Sequence, residues 1–227
     1  MVNDMSANFW LIQPPSNQRH VEGAEGIRHE PIICAINPEH RSGWRPLGAL
    51  SVIVTPSSLT DFAWTWASDI LLSQKTLDVF AQHQVTGYQV RPVRVSFRNR
   101  AKTEPPPLYE LVVTGWGGTA APQAGVRLLE SCPGCMRRLY SIAEPNRLID
   151  PKAWDGSDIF MVWPLPKYRF VSDRLANLIR GERLTGVDLI PAPEIPMTRG
   201  ADLGPGGLRL WMPDDRARQI GEPLGIY

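Results

Sequence analysis

The chain has 227 residues, 43% hydrophobic and 21% charged, with 24 basic against 23 acidic side chains for a formal net charge of +1. That length and balance suit one large or two small globular domains with a real core. They exclude long-range steering to nucleic acid or an anionic membrane by net charge alone. Three cysteines, an odd and low count, argue against a disulfide scaffold and for a reducing compartment. Residues 1–10 have neither the basic nor the apolar region of a secretory signal, and no run approaches the ~18 apolar residues a membrane span needs. We therefore expect a soluble, cytoplasmic protein.

Prolines (22) and glycines (19) cut the chain into short elements. Residues 8–13 read as a strand stopped by Pro14-Pro15, and 16–31 as a polar loop with Gly23 and Gly26. Pro31 to Cys34 is a short apolar strand, and Leu50 to Val54 a buried β-branched one. Residues 58–70 carry Phe62, Trp64 and Trp66. Ser73 then suits the N-cap of a helix with Leu77, Phe80 and Ala81 on one face, running to about Gln84. Thr86-Gly87 ends it, with Gly87 free to adopt a left-handed cap. Tyr88 to Phe97 alternates as one strand, with Pro92 at an edge or bulge. Pro105 to Pro107 is a spacer, Leu108 to Val113 a strand, Gly115 to Gly118 a turn, and Ala120 to Gly125 a loop. Asp158 to Trp163 is a strand; Ser172 starts a second helix with Leu175, Leu178 and Ile179 on one face; Thr185-Gly186 closes it before a strand from Val187 to Pro191. Beyond that, Met197 to Gly207 is glycine-rich loop, Leu208 to Met212 a short strand, and Asp214 to Gln219 a charged segment.

The chemistry-bearing stretch is Cys132-Pro133-Gly134-Cys135. Two thiols three positions apart on a tight turn point the same way and chelate a soft cation, and a tetrahedral site needs two more ligands. Cys34 and His40 are the candidates, closing a Cys3His zinc site from Cys34, His40, Cys132 and Cys135. Inert core thiols and a redox dithiol are the alternatives for the same residues.

The chain also resembles itself. At an offset of 99, Trp64 meets Trp163, Ser73 meets Ser172, Lys75 meets Arg174, Thr86-Gly87 meets Thr185-Gly186 and Pro92 meets Pro191. Cys34 and Cys132, 98 apart, keep nearly the same phase. The expected fold is α+β: two similar halves, each with strands and one main helix, joined around a zinc-ribbon-like site with pseudo-two-fold duplication. The halves are 1–100 and 101–195, with a C-terminal extension at 196–227, the whole forming one globular unit.

The second motif, Cys132 to Cys135, with Phe170 to Ile179 and Leu184 to Pro191 downstream, resembles the double-CXXCG motif family of myxobacteria and related bacteria. The resemblance covers roughly residues 30–195. That family includes immunity proteins against toxins delivered by sibling cells, which implies stoichiometric binding of a cognate toxin protein, a structural Zn2+ and no catalysis. Two departures stand out: Cys34 lacks a second cysteine, so His40 must supply the missing ligand, and Met136 stands where the family has glycine. The sequence offers no catalytic residue: none of His20, His29, His40 and His83 stands with a nucleophile motif. Two other functions compete. A zinc-ribbon nucleic-acid-binding or regulatory protein would use the basic strip of Arg91, Arg94, Arg98, Arg100 and Lys102. A thiol oxidoreductase would use Cys132 or Cys135.

Overall fold

A computed structural model of the chain describes residues 9–23, 29–40, 43–46, 48–98, 104–141, 144, 147–196 and 200–227. The first half contains β1 (Phe9–Gln13), β2 (Glu22–Gly23), β3 (His29–Ile32), β4 (Gly43–Pro46), β5 (Ser51–Val54), β6 (Phe62–Trp64), β7 (Ile70–Ser73), α1 (Gln74–Gln82), β8 (Tyr88–Pro92) and β9 (Arg94–Phe97). Then follow β10 (Leu108–Val113), β11 (Gly115–Thr119), β12 (Leu128–Ser131), β13 (Arg138–Tyr140), β14 (Ile159–Trp163), β15 (Arg169–Ser172), α2 (Asp173–Gly181) and β16 (Asp188–Pro191). The C-terminal part adds β17 (Asp202–Leu203) and α3 (Asp214–Leu224). The protein is thus mixed α+β, with short strands in several sheets.

Two sheets dominate, ordered β6-β7-β10-β8 and β11-β14-β15-β1-β16. β1 enters the second of these from the far N-terminal part of the chain, and β10 inserts between two strands of the first. β1 lies between β15 and β16, pairing Phe9 with Ser172 and Trp10 with Pro191. β10 lies between β7 and β8, pairing Leu108 with Ser73 and Tyr109 with Pro92. Every one of these partners in the second arrangement differs from its counterpart in the first by 99 positions. The hairpins before the helices do not keep that spacing throughout. Phe62 faces Leu72 and Ile159 faces Val171, so the second hairpin is two residues longer. Trp64 and Trp163 nevertheless keep matched roles, their carbonyls accepting from Val21 and Ala120, also 99 apart.

α1 and α2 form where the sequence places them. Ser73 Oγ accepts the Thr76 N–H and Ser172 Oγ the Leu175 N–H, both at 3.2 Å, each cap contributing about 1 kcal/mol. α1 buries Thr76 and Phe80, while Ala81 is exposed; α2 buries Leu175, Ala176 and Ile179. Gln84 and Arg183, at φ 51° and 52°, take the left-handed cap positions directly after the helices, and Gly87 and Gly186, at φ 86° and 79°, turn left-handed again three residues further on.

Those two glycines serve a closer contact. A Cβ on Gly87 would lie 2.0 Å from the Ile159 carbonyl oxygen, and one on Gly186 2.2 Å from that of Phe62. Each Thr-Gly segment runs against the other half's hairpin, and a carboxylate there holds it. Asp158 accepts the Thr86 N–H at 2.9 Å and Oγ–H at 3.1 Å, the Ser172 hydroxyl at 2.9 Å and the Arg174 Nε–H at 2.9 Å, with a second Arg174 contact beside them. Asp61 accepts the Thr185 N–H at 2.8 Å and Oγ–H at 2.9 Å, with Lys75 Nζ at 3.2 Å. Neither carboxylate was distinguished in the sequence, because a lone aspartate has no spacing signal.

The largest core cluster draws on every part of the chain: Phe62, Trp64 and Phe80, then Ile159, Trp163 and Leu175, then Leu203, Leu208, Met212 and Ile226. The C-terminal extension is therefore core. Its Leu208–Leu210 segment is a 3-10 turn, not a strand, and the charged stretch opens α3, whose first turn carries Asp214 and Asp215 against the helix dipole. Two other expectations change. Gly115–Thr119 is a strand, not a turn: β11 runs parallel to β14 with Gly117 against the Phe160 ring. Tyr88 to Phe97 is two strands, because Pro92 ends β8 and β9 leaves to pair with β5 in another sheet.

Burial disfavours ionisation of Asp158, yet the Arg174, Thr86 and Ser172 donors outweigh it and hold its pKa below the usual 3.8. A carboxyl depressed in the fold contributes stability above its unfolded pKa and loses it as pH falls through the folded value. Asp158→Asn should therefore cost about 3 kcal/mol in urea unfolding at neutral pH. The more accessible Asp61→Asn should cost about 1 kcal/mol, and the Asp158 penalty should shrink below pH 4.

Candidate metal centre

The first ligand loop leaves β3 and turns at once. Cys34 Sγ accepts the Asn37 N–H at 3.3 Å, the His40 N–H donates to the Asn37 carbonyl at 3.0 Å, and the Glu39 N–H to Asn37 Oδ1 at 3.0 Å. This Asx turn brings a residue six positions beyond Cys34 back beside it. The second loop joins β12 to β13. The Cys132 N–H donates to the Arg137 carbonyl at 2.9 Å and the Met136 N–H to the Cys132 carbonyl at 3.0 Å. Arg137 ties the three-stranded sheet together, reaching Glu130 on β12 at 3.3 Å and Asp202 on β17 at 2.8 Å. The Gly206 N–H donates to the Cys135 carbonyl at 2.8 Å, so the C-terminal segment braces the turn from outside.

All four expected ligands come together. One atom each from Cys34, His40, Cys132 and Cys135 lies within 4.8 Å of every other. Cys34 Sγ is 3.5 Å from Cys132 Sγ, and His40 Nδ1 is 3.6 Å from Cys135 Sγ. Metal–sulfur bonds of ~2.3 Å in a tetrahedron put sulfurs ~3.8 Å apart, so the observed spacings already match the edges of such a site. The three cysteines are unbridged and form a small buried cluster of their own, and His40 is half-buried.

The electrostatics favour a cation. The Asn37 N–H pulls the Cys34 thiol down to about 6 from 9.0. Burial, with the neighbouring sulfurs, pushes Cys135 up to about 11. Three sulfurs this close cannot all ionise unless positive charge sits among them. A divalent ion supplies it and turns mutual repulsion into coordination. The arrangement can hold a metal ion; what the sequence did not single out is the bracing from Asn37, Arg137 and Gly206.

Met136 follows Cys135 in a backbone conformation that few side-chain-bearing residues adopt. Its φ is 64°, left-handed, which suits glycine and costs a side-chain-bearing residue ~1 kcal/mol. The resemblance expects glycine at this position.

A scan against protein-family models finds no match, and neither does a search of curated proteins.

Purified protein should carry about one divalent ion per chain, measured by elemental mass spectrometry. A strong chelator should lower the unfolding midpoint, and Cys132→Ser should lose the ion. Met136→Gly should raise stability by up to about 1 kcal/mol without changing metal content.

Proposed function

We propose that the protein is a non-catalytic immunity protein that binds and neutralises a cognate bacterial toxin, its fold clasped by a structural zinc ion. Three thiolates and one imidazole are the soft donor set that zinc takes in closed structural sites, and all four positions are filled by protein. A closed site leaves no position for substrate or water, which favours a structural role over chemistry at the metal.

The observation that carries a binding role is the apolar surface around the clasp. Seven large hydrophobic side chains are exposed among the described residues, and four of them lie on or beside the two ligand loops: Ile33, Ile36, Leu128 and Leu129. Ile36 lies over the Cys132–Cys135 turn so closely that a Cβ on Gly134 would sit 2.7 Å from it. Leu128 and Leu129 are on β12, the edge of its sheet, where a bulge between Leu128 and Glu130 breaks the register. Exposed apolar residues gathered at a rigid, metal-held turn suit a protein interface. The toxin itself comes from the family resemblance.

The same clasp joins two copies of one unit on our reading. The exchanged strands β1 and β10, the matched caps and the reciprocal Asp–Thr contacts support a duplication in which each copy lends its first strand to the other. Cys34 then corresponds to Cys132, and Asn37 to Cys135.

The other functions draw less support. Arg91 stands 4.0 Å from Glu110 and Arg98 pairs with Glu22, while Arg91 and Arg94 lie on strands of different sheets. The basic strip is thus partly neutralised and divided; its remaining members, Arg100 and Lys102, lie outside the described residues. A dithiol enzyme needs a free thiolate, and the clasp engages all three.

Tagged protein should retain a toxin encoded by a neighbouring gene when the two are co-expressed. The double variant Ile36→Asp, Leu129→Asp should lose at least about tenfold in affinity with zinc content intact. Unchanged affinity in that variant would move the interface elsewhere; no toxin bound at all would remove the immunity reading.

A further inference from the structure

The Asp158 and Asp61 contacts differ at one oxygen. Asp158 Oδ1 takes the Ser172 hydroxyl and the Arg174 Nε–H, both at 2.9 Å, and Arg174 Nη1 reaches on to the His83 carbonyl at 3.0 Å. The corresponding oxygen of Asp61, Oδ1, meets only the Ser73 hydroxyl, at 3.4 Å, among the described residues. Lys75 Nζ and both Thr185 donors bond to Oδ2. A carboxylate oxygen has room for two donors, so Oδ1 is the acceptor that Asp61 leaves underused. Open space lies beside it. Asp61, Ser73, Lys75 and Thr185 line a cleft of about 360 Å3, together with the apolar rings of Pro106 and Pro107, a size that suits one side chain or a small molecule.

Charge selects a cation for this space. Asp61 and Lys75 are the charged residues of the lining, and Asp78 stands just outside it, accepting from the lining residue Gln74 at 2.8 Å. Two carboxylates thus face one ammonium. That ammonium, on a side chain 55% exposed, makes its single contact and leaves Oδ1 open. A planar guanidinium reaches several acceptors at once, and Arg174 shows one seated at the first turn of α2 against the equivalent oxygen. We propose that the cleft is a binding site for an alkylguanidinium: its N–H groups bond Asp61 Oδ1, its aliphatic stem lies along Pro106 and Pro107, and Lys75 stays on Oδ2. The guanidinium comes from a small guanidino compound or from an arginine side chain of a polypeptide. The site is independent of the Cys/His centre and needs no metal ion.

The test titrates the full chain with n-butylguanidinium and with N-acetyl-L-arginine N-methylamide, n-butylammonium being the control, and follows the backbone amide NMR signals of Asp61 and Thr185. Both guanidinium compounds should move these signals saturably, and the ammonium, one charge-assisted hydrogen bond poorer, should bind about tenfold more weakly. Tighter binding of the capped arginine than of the bare stem marks a polypeptide as the source; equal or weaker binding marks a small compound. Lys75→Arg should supply the guanidinium from the chain itself, abolishing the binding and raising the unfolding midpoint. Lys75→Ala removes a like charge and should bind more tightly. Signals that do not move, ammonium bound as well as guanidinium, undiminished binding in Lys75→Arg, or weaker binding in Lys75→Ala each overturns the proposal.

Discussion

Each half of this protein is completed by the other. The carboxylate of Asp158, 4% exposed, gathers the Thr86 backbone and hydroxyl from one half and the Ser172 cap and Arg174 guanidinium from its own. Asp61 performs the reciprocal task on Thr185. A carboxylate taken out of water is tolerable only when its lone pairs are filled, so these contacts fix how the Thr-Gly segments and hairpins meet. The two locks are unequal. Arg174 also donates to the carbonyls of His83 at 3.0 Å and Gln84 at 3.4 Å, whereas Lys75, among the described residues, donates to Asp61 alone. A planar fork reaches several acceptors where a single ammonium does not.

The Cys/His centre repeats the same logic at the surface. Its ligands come from loops 98 residues apart, and neither loop closes a tetrahedral site alone. β12, β13 and β17 set the second loop, with Arg137 across all three, and the Asn37 turn sets the first. Because the C-terminal segment also supplies Leu208, Met212 and Ile226 to the main core, the bracing contact from Gly206 links the centre to the body of the fold.

Much of this was legible in the residues. Capping serines announce helices because their hydroxyls satisfy orphan N–H groups, so both helix starts fell where Ser73 and Ser172 predicted. The four side chains that cluster were legible because sulfur and imidazole are rare in this chain and their spacing is chemical. The ungapped offset of 99 held at Trp64, Ser73 and Pro92 but not at the hairpin starts, where two extra residues shift Phe62 against Ile159. Gly115 to Gly118 read as a turn because glycine usually marks one; in the fold it is a strand pressed against the Phe160 ring.

By itself, then, the sequence determined the local events: where helices are capped, where prolines end strands, and which four side chains could meet at one ion. Only the tertiary structure decided that β1 lies between β15 and β16 and β10 between β7 and β8, that two unremarked aspartates hold distant Thr-Gly turns, and that the C-terminal segment is core. The reason is physical. Caps, turns and chelating pairs are settled by neighbours a few positions away, whereas the seat of β1 and the partners of the buried carboxylates are settled by groups some seventy to one hundred and sixty residues distant, whose proximity leaves no periodic trace in the chain.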